Sequence, residues 1–349
     1  MTDLPNEPLT PRMVAAMAAA HGAVERLLKV PVQEVIAPTA KRANSMRVRL
    51  ANGGSVIATR RSDPRRADLE AHVLSILHQS GAPVPAVRAF DGTWLLQEDV
   101  GERSLRRAIR ASDAVNGERW LGRGLRSLAA IHTAAAARDL ASRVQAIGDG
   151  RQWHLNLAGT PARIGAALGL MPPAFDRRKL RAVLERPAVS FIKWDARPAN
   201  GAAMDDGRVV WFDWEHCGAR RRLDDMVWLL CDESVPNWPS AERRLIARWL
   251  SAFDEDGDPA TAAAYLWAAG VMHSATRLAL RLDSQRRRGV NPLALTSRDR
   301  RLCRRAARWA SRSDVLAPLA AWFSALQDED FVVRPLTSGN TISQPVASA

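Results

Sequence analysis

The chain has 349 residues, a length that fits one two-lobed domain or two small ones. Of these residues, 47% are hydrophobic and 25% charged, which is typical of a globular protein. It has no run of about 18 apolar residues, which argues against a membrane span. Its three cysteines have no zinc-ligand spacing, and this low, odd count suits a reducing compartment such as the cytoplasm. The net charge of +13 comes almost entirely from dispersed arginines, a pattern more typical of solvated surface than of a nucleic-acid groove.

The N-terminal third predicts a loose start, then a helix, three strands, a second helix and two more strands. Thr10-Pro11 is an N-cap and first-turn pair, while Asn52-Gly53 and Asp91-Gly92 are hairpin turns. Residues 1–9 carry no such pattern and are expected to be loose. The predicted elements are a helix from Thr10 to Lys29, strands Val32–Pro38, Met46–Leu50 and Ser55–Arg60, a helix over Ala67–Gln79, and strands Val87–Phe90 and Thr93–Gln97.

Helical spacing of apolar residues dominates the chain from Ser104 onward. The predicted helices are Ser104–Ala111, Glu118–Ala137, 163–185 with a break at Met171–Pro173, Asp224–Asp232, Ser240–Phe253, Pro259–Ser284, Pro292–Ser311 and Val315–Leu326. His132 lies on the apolar repeat of one of them, which is typical of a packing histidine rather than a ligand. A composition rich in Ser, Thr, Pro and Gly predicts a disordered tail over residues 334–349.

One stretch between these helices carries chemistry. A short apolar strand ends at Ile192, and Asp195 and Asn200 follow it in the pattern D-x-x-x-x-N. A hairpin turn and a second strand then lead to Asp213. The first carboxylate suits a base for an attacking hydroxyl, and the Asn carbonyl and second carboxylate are hard oxygen ligands of the kind that Mg²⁺ prefers.

This segment resembles the aminoglycoside phosphotransferase and choline kinase family of small-molecule kinases. That family's signature is roughly H-G-D-x-x-x-x-N followed by I-D-W-E, and Asp195, Asn200 and Asp213 match it. The chain departs from the signature at Lys193 and Trp194, where the family has His and Gly. The resemblance implies ATP and Mg²⁺ as cofactors, with Asp195 as catalytic base and Asn200 and Asp213 as metal ligands.

The resemblance also implies the fold and its division. The expected fold is α+β and protein kinase-like, with a small antiparallel-sheet N-lobe and a larger, mainly helical C-lobe. Residues 10–99 would form the N-lobe and residues 100–333 the C-lobe, between the loose N-terminus and the disordered tail.

Several further residues acquire roles through the same resemblance. Arg60 ends the third strand where the family keeps a phosphate-binding base, and Glu70 lies where a helix Glu pairs with that base. Asn44 and Ser45 close the expected phosphate loop, Thr39–Ser45, which has no glycine. Glu98 lies at the expected hinge, where main-chain groups would pair with adenine.

Two residues on the catalytic side are assigned in the same way. Arg197, two residues past the base, would reach the transferred phosphoryl group, with an ordinary surface arginine as the alternative. Asp225 would steady the catalytic loop.

Three functions stay open at this point. The first is an ATP- and Mg²⁺-dependent phosphotransferase that phosphorylates a hydroxyl of a small molecule. The second is a pseudokinase or nucleotide-sensing interaction protein, which the departures at Lys193 and Trp194 would tolerate. The third, a nucleic-acid-binding module, rests on net charge alone. The sequence does not indicate an oligomeric state.

The acceptor's charge is likewise open. Acidic residues in the late helices, Asp232, Glu233 and the run around Asp254–Asp258, slightly favour an amine-bearing acceptor over a neutral or anionic one. Tryptophans could add a cage for a cationic amine, although core packing is the simpler role for such a set. That set comprises Trp214, Trp228, Trp238, Trp249 and Trp267.

Overall fold

The structure is a computed structural model that describes residues 10–37, 44–290, 294–328 and 331. Its internal contacts divide the chain into two compact units. The first unit comprises Met1–Ile147, Pro187–Leu230 and Trp238–Glu255, and the second comprises Gly148–Arg186, Cys231–Asn237 and Asp256–Ala349. No helix within the described ranges is long and apolar enough to span a membrane. The predicted tail lies outside the described residues, and the predicted lobe boundaries stay predictions.

The first unit opens with the predicted order of elements. These are α1 Pro11–Leu28, β1 Val32–Ile36, β2 Ser45–Leu50, β3 Ser55–Arg60, α2 Pro64–Gln79, β4 Val87–Phe90 and β5 Trp94–Glu98. The strands form one antiparallel sheet in the order β1-β2-β3-β5-β4. The predicted small antiparallel N-terminal sheet is therefore confirmed.

Local sequence explains how this sheet is covered. The Thr10 hydroxyl accepts a hydrogen bond from the Met13 amide at 3.3 Å, and Pro11 occupies the first turn, so α1 begins where the cap predicts. Alternate residues of the strands, such as Met46 and Val48, pack with the apolar side of α1, including Val24. Burial of this stripe holds α1 on the sheet.

The rest of the chain is mainly helical. The remaining helices are α3 Leu105–Arg110, α4 Ala114–Ala137, α5 Arg151–Leu168, α6 Arg177–Leu184, α7 Arg222–Leu230, α8 Pro239–Phe253, α9 Pro259–Arg287, α10 Ser297–Ala310 and α11 Leu319–Gln327. Four short strands lie between α6 and α7: β6 Ser190–Ile192, β7 Gly201–Ala203, β8 Val209–Trp211 and β9 Gly218–Arg220. They pair antiparallel as β6–β9 and β7–β8, all within the first unit.

Two helices of the second unit begin elsewhere than predicted. Helix α5 begins at Arg151, well before the predicted 163, and ends where Gly169 takes a φ of 78°. Helix α10 begins at Ser297 rather than Pro292, because Thr296 and Asp299 form a reciprocal capping box. The capping pair defines the start of α10 more sharply than the apolar repeat did.

We expect Gly270→Ala to destabilise the second unit by about 1–3 kcal/mol. A Cβ at this position of α9 would lie 2.1 Å from ring carbons of the buried Trp309. Gly159→Ala in α5 is the matched control, because nothing lies within 4 Å of its Cβ position. The control should gain about 0.5–1 kcal/mol from helix propensity. Denaturant unfolding measures the free energy of unfolding of both variants. Equal stabilisation of the two would contradict the Trp309 contact.

Candidate active site

Two strand pairs of the first unit bring the predicted site residues together. The β6–β9 pair ends at Ile192, three residues before the predicted base Asp195. The β7–β8 hairpin joins the predicted metal ligands, because Asn200 precedes β7 and Asp213 follows β8. The Phe212 amide donates to the Asn200 carbonyl at 3.0 Å, which fixes the main chains beside these two ligands.

Asp195 and Asn200 are in direct contact. The Asn200 side-chain amide donates to Oδ2 of Asp195 at 2.8 Å and to its carbonyl oxygen at 3.1 Å. Arg197 Nε lies 4.0 Å from Oδ1 of Asp195. Burial raises the pKa of Asp195 above its usual value, with Lys193 and Arg197 opposing the shift. The raised pKa makes the carboxylate a stronger proton acceptor, as a general base requires.

Three site residues have left-handed backbone conformations. The φ angles are 51° at Trp194, 47° at Asp195 and 63° at Asp213. Such a conformation costs an L-residue roughly 1–2 kcal/mol. Here the indole packs edge-on against Trp228, with ring centroids 5.5 Å apart, and the Arg220 guanidinium lies over it at 5.2 Å. These contacts hold the Trp194 side chain in place.

Asp225 holds the predicted catalytic loop through hydrogen bonds to its main chain. Its buried carboxylate accepts the amide of Lys193 at 2.9 Å and that of Trp194 at 2.8 Å. His132 Nε2 lies 2.9 Å from the same carboxylate, and its ring packs edge-on against Phe253. His132 is therefore a buried packing residue, as predicted, and it also supports Asp225.

The predicted pairing of Arg60 with Glu70 is wrong, because Glu70 pairs with Arg61. Nε and Nη2 of Arg61 donate to the two Glu70 carboxylate oxygens at 2.7 and 3.0 Å. Nη2 also donates to Asp213 at 2.7 Å, and Nη1 donates to Glu215 at 2.9 Å. One guanidinium thus joins the α2 glutamate to the loop that carries the predicted metal ligand.

The alternation of side chains along β3 explains the error. Successive side chains point to opposite faces of a strand. Thr59 is buried and Arg60 is exposed, whereas Arg61, the first residue after β3, has only 14% of its side chain exposed. A shift of one residue reverses which arginine faces α2.

Asp213 fits an Mg²⁺ ligand. Its carboxyl is 34% exposed, and its pKa lies below the usual value because Lys193 and Arg61 outweigh the effect of burial. In the described part of the chain no group of three or more His, Cys, Asp or Glu residues could hold a metal. A site built on Asn200 and Asp213 is consistent with this, because Mg²⁺ sites in kinases take only a few protein ligands and complete the shell with phosphates and water.

The residues predicted to contact the nucleotide from the sheet form hydrogen bonds with other groups of the protein. Ser45 Oγ lies 3.1 Å from Thr59 Oγ1, and the Asn44 carbonyl accepts the Arg60 amide at 2.7 Å. Most of the predicted loop Thr39–Ser45 lies outside the described residues. The Glu98 amide donates to the Ala86 carbonyl at 2.8 Å, so an adenine contact from that amide would have to replace this bond.

Three of the acidic residues that suggested an amine acceptor are engaged by neighbouring groups of the protein. Glu233 is buried and pairs with Arg277 at 2.8 Å, and Asp232 accepts hydrogen bonds from the amide and hydroxyl of Ser234. Glu255 pairs with Arg221 at 2.9 Å. These contacts account for three members of the acidic cluster, and the amine-bearing acceptor stays a prediction.

The tryptophans behave mainly as packing residues. Trp214 is fully buried, and the Trp267 ring meets the buried Trp309 edge-on at 5.1 Å. Trp238 lies so close to α4 that a Cβ at Gly117 would be 2.0 Å from its ring. Core packing, the simpler prediction for this set, accounts for these three.

No protein-family model matches the sequence, and no curated protein matches it either. Solved structures do match. The choline kinase LicA from Streptococcus pneumoniae is 12% identical with a TM-score of 0.50, covering 84% of this chain and 97% of that one. A type I macrolide 2'-phosphotransferase is 12% identical with a TM-score of 0.51, covering 87% and 99%. A spectinomycin phosphotransferase in complex with ADP and spectinomycin is 10% identical with a TM-score of 0.50, covering 80% and 90%.

The likeness to these kinases confirms the predicted α+β kinase-like fold. At such low identity it concerns the fold only. The roles of individual residues in this chain therefore rest on their own geometry.

Proposed function

We propose that this protein is an ATP- and Mg²⁺-dependent phosphotransferase that phosphorylates a hydroxyl group of a small molecule. The observation that carries the proposal is the contact of Asp195 with Asn200, the two residues that the kinase spacing assigns to base and metal ligand. The likeness in fold to three phosphotransferases, one of them in complex with ADP, supports it.

The predicted base and the two predicted metal ligands each have a part in this reaction. Asp195 would accept the proton of the acceptor hydroxyl, and its raised pKa suits that task. Asn200 and Asp213 would hold Mg²⁺ through oxygen atoms. MgATP, when bound, supplies the phosphoryl group and the cation that offsets its charge.

The arginines would orient the phosphates. Glu70 fixes Arg61 through two hydrogen bonds, so that its guanidinium is preorganised for binding. Arg197 lies beside the base and would face the phosphoryl group in transfer.

The alternative is nucleotide binding without transfer. The engagement of Arg61 by Glu70, Asp213 and Glu215 favours it, because phosphates would compete with carboxylates for one guanidinium. A measurement of turnover distinguishes phosphoryl transfer from nucleotide binding alone.

A screen for phosphate esters tests the proposal. The protein is incubated with MgATP and a panel of amino alcohols, aminoglycosides, macrolides and nucleosides, and products are identified by phosphorus NMR. We expect an acceptor-dependent ester that forms only with Mg²⁺. Saturable MgATP binding without any ester would favour the nucleotide-sensing alternative, and no ATP binding would overturn both.

A further inference from the structure

Lys193 is a buried lysine that the proposed reaction does not yet use. Its side chain has no exposed surface, and it follows directly after β6, two residues before Asp195. Nζ donates to the main-chain carbonyl of Asp213 at 2.8 Å and lies 5.2 Å from the centroid of the Trp214 ring. The lysine thus connects the catalytic loop with the loop of the predicted metal ligand.

Both ends of Lys193 are anchored. Its main-chain amide donates to the buried Asp225 carboxylate at 2.9 Å, while its side chain reaches Asp213. Asp213 itself has a φ of 63° and lies beyond the end of β8, so no strand pairing holds it. The neighbouring amides of Phe212 and Trp214 bond to Asn200 and Glu70, and the Lys193 hydrogen bond holds the Asp213 carbonyl between them.

The position is costly for a lysine. Burial lowers the pKa of Lys193, and the nearby carboxylates of Asp213, Asp195 and Asp225 only oppose this shift. A methionine of similar length would fill the same volume without that cost. What a methionine lacks is the N–H donor to the Asp213 carbonyl, and a lysine supplies that donor in either protonation state.

We propose that Lys193 is a positioning residue that fixes the main chain of Asp213 relative to the catalytic loop and thereby sets the affinity for MgATP. The proposal rests on the proposed function. It predicts an effect on the part of ATP binding that depends on Mg²⁺, because Asp213 is the residue that Lys193 holds.

Lys193→Met tests this, with Ile192→Val as the matched control. Ile192 is equally buried in the adjacent position of β6, and its loss of a methyl group perturbs packing without removing a polar contact. ATP affinity is measured by calorimetry with Mg²⁺ and with a chelator, and folding is checked by thermal unfolding. We expect Lys193→Met to weaken MgATP binding about tenfold or more, as loss of a strong hydrogen bond implies, and Ile192→Val to leave it unchanged.

The outcomes separate this inference from the proposed function. A wild-type protein that does not bind MgATP would overturn the proposed function. A folded Lys193→Met protein with wild-type MgATP affinity would overturn only the role of Lys193. If Lys193→Met does not fold, Lys193→His restores a donor, and the family signature has His at this position. We expect the folded His variant to stay within about threefold of wild-type affinity, and a tenfold loss in it would contradict the proposal.

Discussion

Arg61→Met is expected to abolish measurable ATP binding and to lower the free energy of unfolding by about 3–5 kcal/mol. The Glu70 side chain has no exposed surface, and Arg61 supplies two hydrogen bonds to its carboxylate. Removing the guanidinium leaves that carboxylate buried, and within the described residues the Trp214 amide, 3.0 Å away, remains as its hydrogen-bond donor. Calorimetry with MgATP and denaturant unfolding measure the two effects.

Arg60→Met is the matched control for this experiment. Arg60 is the adjacent arginine and is exposed at the end of β3. We expect its replacement to change stability by no more than about 0.5 kcal/mol and to leave ATP affinity unchanged. If Arg60→Met loses ATP binding while Arg61→Met keeps it, the sequence-based assignment was right and the pairing of Arg61 with Glu70 is not functional.

The Asp195→Asn variant should lose turnover by about 10²–10⁴-fold while keeping its fold and its ATP affinity. The replacement preserves shape and can still accept the hydrogen bond from Asn200, but an amide cannot take up the acceptor's proton. The initial rate of phosphate-ester formation measures the loss. Asp206→Asn, in the exposed hairpin turn, controls for removal of one negative charge. A variant with most of the wild-type rate would place the base elsewhere.

The small sheet was predictable because its turns are local signals. Asn52-Gly53 and Asp91-Gly92 fix where strands reverse, and the observed strands begin and end close to the predicted bounds. Helix α5 was largely missed because Gly159 and Pro161 lie inside it and weaken the helical pattern, although both are within Arg151–Leu168 in the structure.

The sequence predicted the contacts of the site only where the two residues lie close together along the chain. Asp195 and Asn200 lie five residues apart, and their contact follows from one short loop. The choice between Arg60 and Arg61 depends on the face of a strand, which two consecutive arginines do not reveal. The sequence did not reveal that Glu233 is paired, because its partner, Arg277, lies far from it along the chain.

The most direct test of the account is a titration of ATP into wild-type protein and Asp213→Asn, each with Mg²⁺ and with a chelator. The proposed metal site predicts that wild-type affinity falls when Mg²⁺ is removed. It also predicts that Asp213→Asn, with Mg²⁺ present, binds ATP about as weakly as metal-free wild type. Equal MgATP affinity in the two proteins, with the same dependence on Mg²⁺, would show that Asp213 holds no metal and would contradict the account.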